Sequence, residues 1–388
     1  MSPNEKIRAV VISPAIAQPR FHRRVEAILD VGVRPVVYSF RRGLYEGNRY
    51  PSAAQVIDLG RVEDRKYFAR LPKLSRALLQ IRRTENTFRY PPAFVLAFGF
   101  DAAVLALAAF PRAVPLIYEV GDLRGGDAKG ALAWALRSVE RRITRRATTL
   151  IVTSPGFVSE HYAKLDPACV SKAHIVENKL SRWFLAVERR SQPVSVANDR
   201  RIRIGFVGNL RYPRTFLPLL DAIGARPGQY ELHVYGDGHL RNEVEAAAQR
   251  HDNVHYHGAF RNPHDLEEIY RTIDINYVVY DDDDPNVRVA LPNKLYESAF
   301  FGVPIVAASR TVFAQRVRAL DIGFSVNTTE SDFVGRLLDS IGRDEVELCS
   351  RSALKVPTAD LVEQPEKSSG WIPDLGLAKT HTWSGNVE

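Results

Sequence analysis

Pro292-Asn293-Lys294-Leu295-Tyr296-Glu297-Ser298-Ala299-Phe300-Phe301-Gly302-Val303-Pro304-Ile305-Val306-Ala307 reads as a helix handing over to a strand. Proline suits the first turn of a helix, where a missing N–H costs nothing. Gly302 can end that helix, and Pro304 prevents its continuation. The apolar run 303–308 then reads as a buried strand. Lys294 and Glu297 stand three apart and share one helix face, with Ser298 beside them. Spacing alone leaves two readings of that pair: an exposed ion pair worth a few tenths of a kcal/mol, or two opposite charges placed for a ligand.

The same alternation continues outward. Upstream, the segments 201–207, 230–235, 253–257 and 273–279 read as further strands. A helix carrying Leu240, Val244 and Ala247 on one face lies among them. Before residue 186 a separate series appears, with strands at 7–13, 33–40, 55–59, 93–98, 114–120 and 149–154. Most of these are apolar along their whole length, as parallel strands covered on both faces are. The clearest helix of that half, 131–147, puts Leu132, Leu136, Val139 and Ile143 on one face. Arg137, Arg141, Arg142, Arg145 and Arg146 lie on the other. Two successive βαβ series predict an α/β chain of two doubly wound, Rossmann-like domains facing across a cleft. The expected boundaries are 1–185, a polar linker at 186–200, a second domain at 201–343, and an irregular tail at 344–388 where apolar periodicity fades.

The composition fits this reading. A chain of 388 residues has room for two domains, and 45% hydrophobic residues suffice for packed cores. A formal charge of +8 makes an anionic partner plausible, whether nucleotide, phospholipid surface or nucleic acid. The two cysteines, Cys169 and Cys349, have no metal-ligand spacing; their scarcity argues against a secreted disulfide scaffold and suits the cytoplasm. The N-terminus lacks the pattern of a signal peptide. The apolar stretch 93–110 is interrupted by Gly99 and Asp101, so it reads as strand, turn and helix and not as a membrane span.

The second half resembles the donor domain of GT-B glycosyltransferases, near family four and the capsule and exopolysaccharide transferases. The resemblance is carried by an ordered set of blocks between Arg201 and Asn327. These are Ile204-Gly205-Phe206-Val207-Gly208-Asn209-Leu210, His233-Val234-Tyr235-Gly236-Asp237-Gly238, Asn253-Val254-His255-Tyr256-His257-Gly258, Ile273-Asp274-Ile275-Asn276, and the opening stretch itself. The first half is similar more loosely, through Ile117-Tyr118-Glu119-Val120-Gly121-Asp122, the arginine-rich helix with Glu140, and Ile175-Val176-Glu177-Asn178-Lys179.

The resemblance implies transfer of a sugar from a nucleotide-sugar donor to a glycan or lipid-linked acceptor in bacterial-type surface polysaccharide synthesis. It implies no metal and no cofactor, the donor being a substrate and UDP-linked by expectation. Such enzymes aim backbone N–H groups, a helix dipole and cationic side chains at the diphosphate. That gives Lys294 the phosphates and Glu297 the ribose hydroxyls, with Asn293 and Ser298 beside them. Gly208, Asn209, Arg211, Arg214 and Gly236 complete the expected donor set; Arg214 sits where a lysine is common. Gly236 and Gly238 read equally as a plain turn.

One departure bears on mechanism. Retaining members of family four often carry Glu-x7-Glu ending where Glu297 stands, and here Val289 occupies the first position. Direct displacement with inversion is therefore the favoured expectation, and it needs a general base. Asp122, at the carboxyl end of the strand 114–120, is the candidate, with Glu119 the alternative; Gly121, Gly125 and Gly126 also allow Asp122 a mere turn role. His22 and Arg23, after the first strand, are the candidate acceptor contacts; His22 reads equally as a contact to the leaving phosphate or as a solvated helix start. The run Asp281–Asp284 is read as a solvated loop at the cleft rim, not a metal site. Arg70, Lys73, Arg76, Arg82 and Arg83, within the basic segment 61–89, suggest peripheral contact with an anionic membrane face. No helix-turn-helix, zinc or RNP signature points to nucleic acid. Two competitors share the architecture: a sugar-nucleotide epimerase and a non-catalytic sugar-binding protein.

Overall fold

The computed structural model describes residues 7–15, 19–41, 52–62, 70–123, 130–364 and 369–376. The chain forms two compact units, Met1–Glu177 joined by Pro365–Glu388, and Asn178–Gln364.

The first unit contains β1 (Arg8–Ser13), α1 (Pro19–Asp30), β2 (Arg34–Arg41), β3 (Gln55–Arg61), α2 (Leu71–Glu85), β4 (Val95–Phe98), α3 (Gly99–Ala109), β5 (Leu116–Glu119), α4 (Gly130–Arg146), β6 (Thr149–Val152), the one-turn α5 (Ala163–Leu165) and β7 (Ala173–Ile175). Its strands form one sheet in the order β3-β2-β1-β4-β5-β6-β7. The pairings are parallel throughout. The order reverses between β1 and β4, the switch point where open α/β sheets place ligand-binding loops. β1, β4, β5 and β6 are buried along their whole length, which is why they read as unbroken apolar runs. The stretch 93–110 resolves into β4 and α3, joined at Gly99 with a left-handed φ of 78°. No helix among the described residues is long and apolar enough to cross a membrane.

The second unit repeats the plan. It runs β8 (Ile202–Val207), α6 (Pro213–Gly224), β9 (Tyr230–Tyr235), α7 (Arg241–Arg250), β10 (Val254–Gly258), α8 (Leu266–Thr272), β11 (Ile275–Val278), α9 (Pro285–Val289), α10 (Lys294–Phe301), β12 (Ile305–Ala308), α11 (Val312–Ala319), β13 (Gly323–Val326), α12 (Phe333–Ser340), α13 (Arg343–Lys355) and α14 (Thr358–Leu361). The sheet order is β10-β9-β8-β11-β12-β13, again reversing at its first strand.

Four expectations need correction. On α4 the buried face runs through Glu140, Ile143 and Thr144, whereas Leu132 is 49% and Val139 37% exposed. Glu140 can lie inside because Tyr162 Oη donates to it at 3.0 Å and His161 Nε2 lies 3.0 Å away. A count of apolar residues misses a buried polar group that has partners. The segment 186–200 is not a free linker. The Arg189 guanidinium donates to the carbonyls of Ala299, Phe300, Ala353 and Val356 at 2.8–3.3 Å, binding together the C-terminal ends of α10 and α13. The Val194 N–H donates to Ser350 Oγ at 2.7 Å.

The segment after 343 is not irregular as expected, since it forms α13 and α14. Its later part returns to the first unit, where Trp371 is buried edge-on against Phe94 at 6.5 Å. Among the basic residues of 61–89, Arg70 is buried and paired with Asp101 at 3.1 Å, and Arg82 donates to the Ala108 carbonyl at 2.6 Å. Arg70 points inward and Arg82, though exposed, is held on a carbonyl, which leaves Lys73, Arg76 and Arg83 from the expected set.

Candidate functional site

The loops that follow β8 and β9 are locked together by glycines. The Gly208 N–H donates to the Tyr235 carbonyl at 2.8 Å, and the Leu210 N–H to the Asp237 carbonyl at 3.0 Å. Gly208 and Gly236 have φ of 147° and 140°, a region that disfavours side chains. A Cβ on Gly236 would lie 1.8 Å from the Gly208 oxygen, so no larger residue fits there. The Gly-Asp-Gly turn is therefore a structural clasp for the β8 loop. A Cβ on Gly208 would lie 3.8 Å from Lys294 Cε. The glycine loop and the start of α10 thus meet, though 86 residues of sequence separate Gly208 from Lys294.

All eight residues of α10 are buried, and Gly302 closes it in the left-handed conformation at φ 67°. Lys294 Nζ lies 2.6 Å from Glu297 Oε2, with Glu297 1% and Lys294 8% exposed. The pair is an i,i+3 ion pair, but a buried one, where the exposed-pair magnitude does not apply. Tyr270 Oη donates to the same Glu297 oxygen at 3.0 Å. Burial and the Glu297 charge push the Tyr270 hydroxyl well above its usual range, keeping it a donor. Asn276 Nδ2 donates to Tyr270 Oη at 3.1 Å and to Ser298 Oγ at 2.8 Å. Its buried Oδ1 has no hydrogen-bond partner among the described residues. The Phe260 ring lies 5.8 Å from Lys294 Nζ.

Tyr270, Asn276 and Phe260 were missed by the sequence reading. Asn276 carried a signal, as a polar residue in the middle of the apolar strand 273–279. Tyr270 carried none, because on α8 it reads as ordinary apolar packing.

The other expected donor residues divide. Asn209 and Asn293 are exposed at the ends of the same loop and helix. Arg211 is exposed and lies over the Tyr212 ring at 4.8 Å, and Tyr212 stacks on Tyr280 at 4.8 Å. Arg214 goes elsewhere. Its guanidinium contacts Asp281 at 2.6 Å and both Asp282 and Asp283 at 3.1 Å. The acidic run is thus solvated only in part, with Asp283 and Asp284 exposed. Asp282 is fully buried and forked by Arg310 at 2.8 and 2.9 Å, with Thr328 Oγ1 at 2.6 Å. Burial alone would raise the Asp282 pKa, but the bonds from Arg310 and Thr328 hold it below the usual range. Arg214 is committed to this carboxylate cluster and leaves the donor set.

In the first unit, Glu119 ends β5 with no exposure, and Arg24 of α1 forks it at 2.8 and 3.0 Å. A carboxylate with both oxygens on a buried guanidinium is a structural anchor, so Glu119 is withdrawn as the alternative base. Asp122, three residues further, is exposed. Gly125 and Gly126 lie outside the described residues. His22 and Arg23 are half-buried on α1. Val289 lies buried on α9.

Two glycosyltransferase families match the chain: "glycosyl transferase 4-like domain" over residues 5–176 and "glycosyl transferases group 1" over residues 201–341. The succinoglycan biosynthesis protein ExoL of Rhizobium meliloti (strain 1021) is 27% identical over 353 residues, covering 86% of this chain and 84% of that protein. The crystal structure of Anabaena HepE in complex with UDP aligns with a TM-score of 0.63 at 14% identity, over 94% of this chain and 97% of that one. WaaG, a glycosyltransferase involved in lipopolysaccharide biosynthesis, aligns with a TM-score of 0.60 at 16% identity, over 93% and 98%.

Proposed function

Since the chain belongs to the GT-B glycosyltransferases, its two halves matching the 4-like and group 1 families, we propose that it transfers a sugar from a UDP-linked donor to a lipid-linked or glycan acceptor of surface polysaccharide synthesis. The observation that carries this reading is the meeting of Lys294 with the Gly208 loop at the start of α10. A cation, the positive end of a helix dipole and a close-approach backbone loop together suit a diphosphate. The complex of HepE with UDP supports the choice of nucleotide, and the name of ExoL supports the polysaccharide setting.

In the proposed reaction the acceptor oxygen bonds to the anomeric carbon as the bond from that carbon to the diphosphate breaks. The electron pair leaves with the diphosphate, where Lys294 and the α10 dipole meet the growing charge without a metal. Glu297 Oε2 is engaged by Lys294 and Tyr270, so Oε1 is assigned to the ribose hydroxyls. Asp122 takes the acceptor proton, and the configuration inverts. His22 and Arg23 are assigned to the acceptor. The test is calorimetric titration with UDP, GDP and ADP, followed by turnover of the preferred nucleotide's sugar with and without a lipid-linked acceptor. Tight UDP binding with acceptor-dependent release of UDP is expected. Turnover of the donor without any acceptor would favour an epimerase, and binding without turnover a non-catalytic protein.

A peripheral site on the cytoplasmic face of the membrane belongs to the same proposal. Leu71 and Leu79 of α2 are 59% and 54% exposed among Lys73, Arg76 and Arg83, and Trp134 of α4 is 73% exposed. Apolar side chains beside cations suit an anionic bilayer surface. Co-sedimentation with phosphatidylglycerol vesicles is expected, falling several-fold in Lys73→Glu/Arg76→Glu; equal binding to phosphatidylcholine vesicles would refute it.

A further inference from the structure

Away from the donor residues, β9 and its edge neighbour β10 bring three metal-ligating side chains together. The register pairs His255 directly with His233. Glu231 lies on the same face of β9, two residues before His233. One ligand atom from each of Glu231, His233 and His255 lies within 4.8 Å of the other two.

We propose that Glu231, His233 and His255 form a binding site for a divalent transition-metal ion of the zinc class, clamping the edge strand β10 onto β9.

His233 lies opposite His255 on the neighbouring strand. Its Nδ1 lies 3.1 Å from His257 Nε2, so a hydrogen bond engages that side of the ring. Its Nε2 is buried and has no hydrogen-bond partner among the described residues. Glu231 Oε2 lies 3.5 Å from that nitrogen, too long for a good hydrogen bond. When Nδ1 carries the proton and donates to His257, the Nε2 lone pair faces a carboxylate lone pair. In that tautomer a cation between the buried nitrogen and the half-buried carboxylate would bind both. The spacing suits one, since two ligands of a tetrahedral zinc ion at about 2.0–2.1 Å stand roughly 3.3 Å apart.

The surroundings fix the ligands as metal sites require. Arg201 Nη1 lies 3.4 Å from the other Glu231 oxygen, a counter-charge on that side of the carboxylate. His257 holds the Nδ1 side of the His233 ring at 3.1 Å and stacks on the Tyr235 ring at 4.2 Å. Partners of this kind commonly change metal affinity 10–100-fold when removed. The register also sets Gly205 of β8 beside His233, with Ile273 packed over the glycine as an apolar wall. Two imidazoles and one carboxylate select zinc-class ions over magnesium or calcium, which prefer all-oxygen shells. Three protein ligands leave a coordination position for water.

The test uses the full chain, stripped with a chelator and dialysed, then titrated with Zn²⁺ and with Co²⁺. One Zn²⁺ per chain with a rise in Tm is expected, and the Co²⁺ form should show the visible absorption of a low-coordinate nitrogen and oxygen site. His255→Ala and Glu231→Gln, checked for an unchanged circular-dichroism spectrum, should each weaken binding at least tenfold; His257→Ala should weaken it less. Excess Mg²⁺ should not compete. Absence of Zn²⁺ binding by the parent chain overturns the proposal, as does unchanged affinity and stoichiometry in both His255→Ala and Glu231→Gln.

Discussion

Lys294→Met is expected to lower stability and donor affinity together, whereas Lys294→Met/Glu297→Gln should recover most of the stability and none of the affinity. The single change leaves the Glu297 carboxylate, 1% exposed, without its cation. Removing one partner of a buried pair costs about 3–5 kcal/mol, because the remaining charge stays desolvated. For a unit of this size that is a fall in Tm on the order of 10 °C. In the double variant a neutral amide replaces the carboxylate. Tyr270 can still donate to it, and no buried charge is left over.

The cation for the diphosphate is nonetheless gone. A hydrogen bond to a charged group contributes about 1.5–3 kcal/mol, so UDP should bind roughly 10–100-fold more weakly. Calorimetric titration beside thermal melts separates the two effects. A double variant with parental stability and a UDP affinity within twofold of the parent would remove Lys294 from the donor site. Alanine changes at either position alone do not test binding cleanly, because the pair is part of the core of α10.

That entanglement shows what a sequence reading reaches. The α/β class, both strand series and the limits of α10 were legible, because apolar runs, Pro292 and Gly302 are local signals. The convergence of Gly208 with Lys294 was accessible only through the resemblance, since no local pattern relates residues on different loops. Tyr270 and Arg189 were illegible for another reason. A tyrosine on a buried helix face and an arginine in a polar segment look the same whether or not a distant carboxylate or helix end awaits them. Arg214 and Asp282 make the same point with the opposite outcome. Arg214 was assigned to the ligand and the acidic run to solvent, yet the two neutralise each other, with Arg310 completing the cluster. Local charge gives the sign of a residue's partner and not its address.

Glu119→Gln is expected to destabilise the first unit, whereas Asp122→Asn is expected to leave stability unchanged and lower kcat. Glu119 has no exposure and Arg24 is 3% exposed, with both guanidinium contacts at 3.0 Å or less. Losing the carboxylate charge takes the Glu119 counter-charge from the buried Arg24, at a cost of about 3–5 kcal/mol. Arg24 also lies 5.8 Å from the Trp371 ring, so the change should loosen the docking of 369–376 and raise proteolysis there. Arg24→Met/Glu119→Gln should recover much of the loss, as apolar replacement of a buried pair often does. Asp122 is exposed, so its amide should cost the fold nothing measurable. If Asp122 takes the acceptor proton, its loss should slow turnover roughly 10²–10⁴-fold with UDP affinity intact. The discriminating measurement is kcat for the folded fraction of each variant. A Glu119→Gln protein that melts like the parent but loses turnover as steeply as Asp122→Asn would return Glu119 to the chemistry. A buried anchor predicts the reverse, a protein that melts early and, while folded, still turns over.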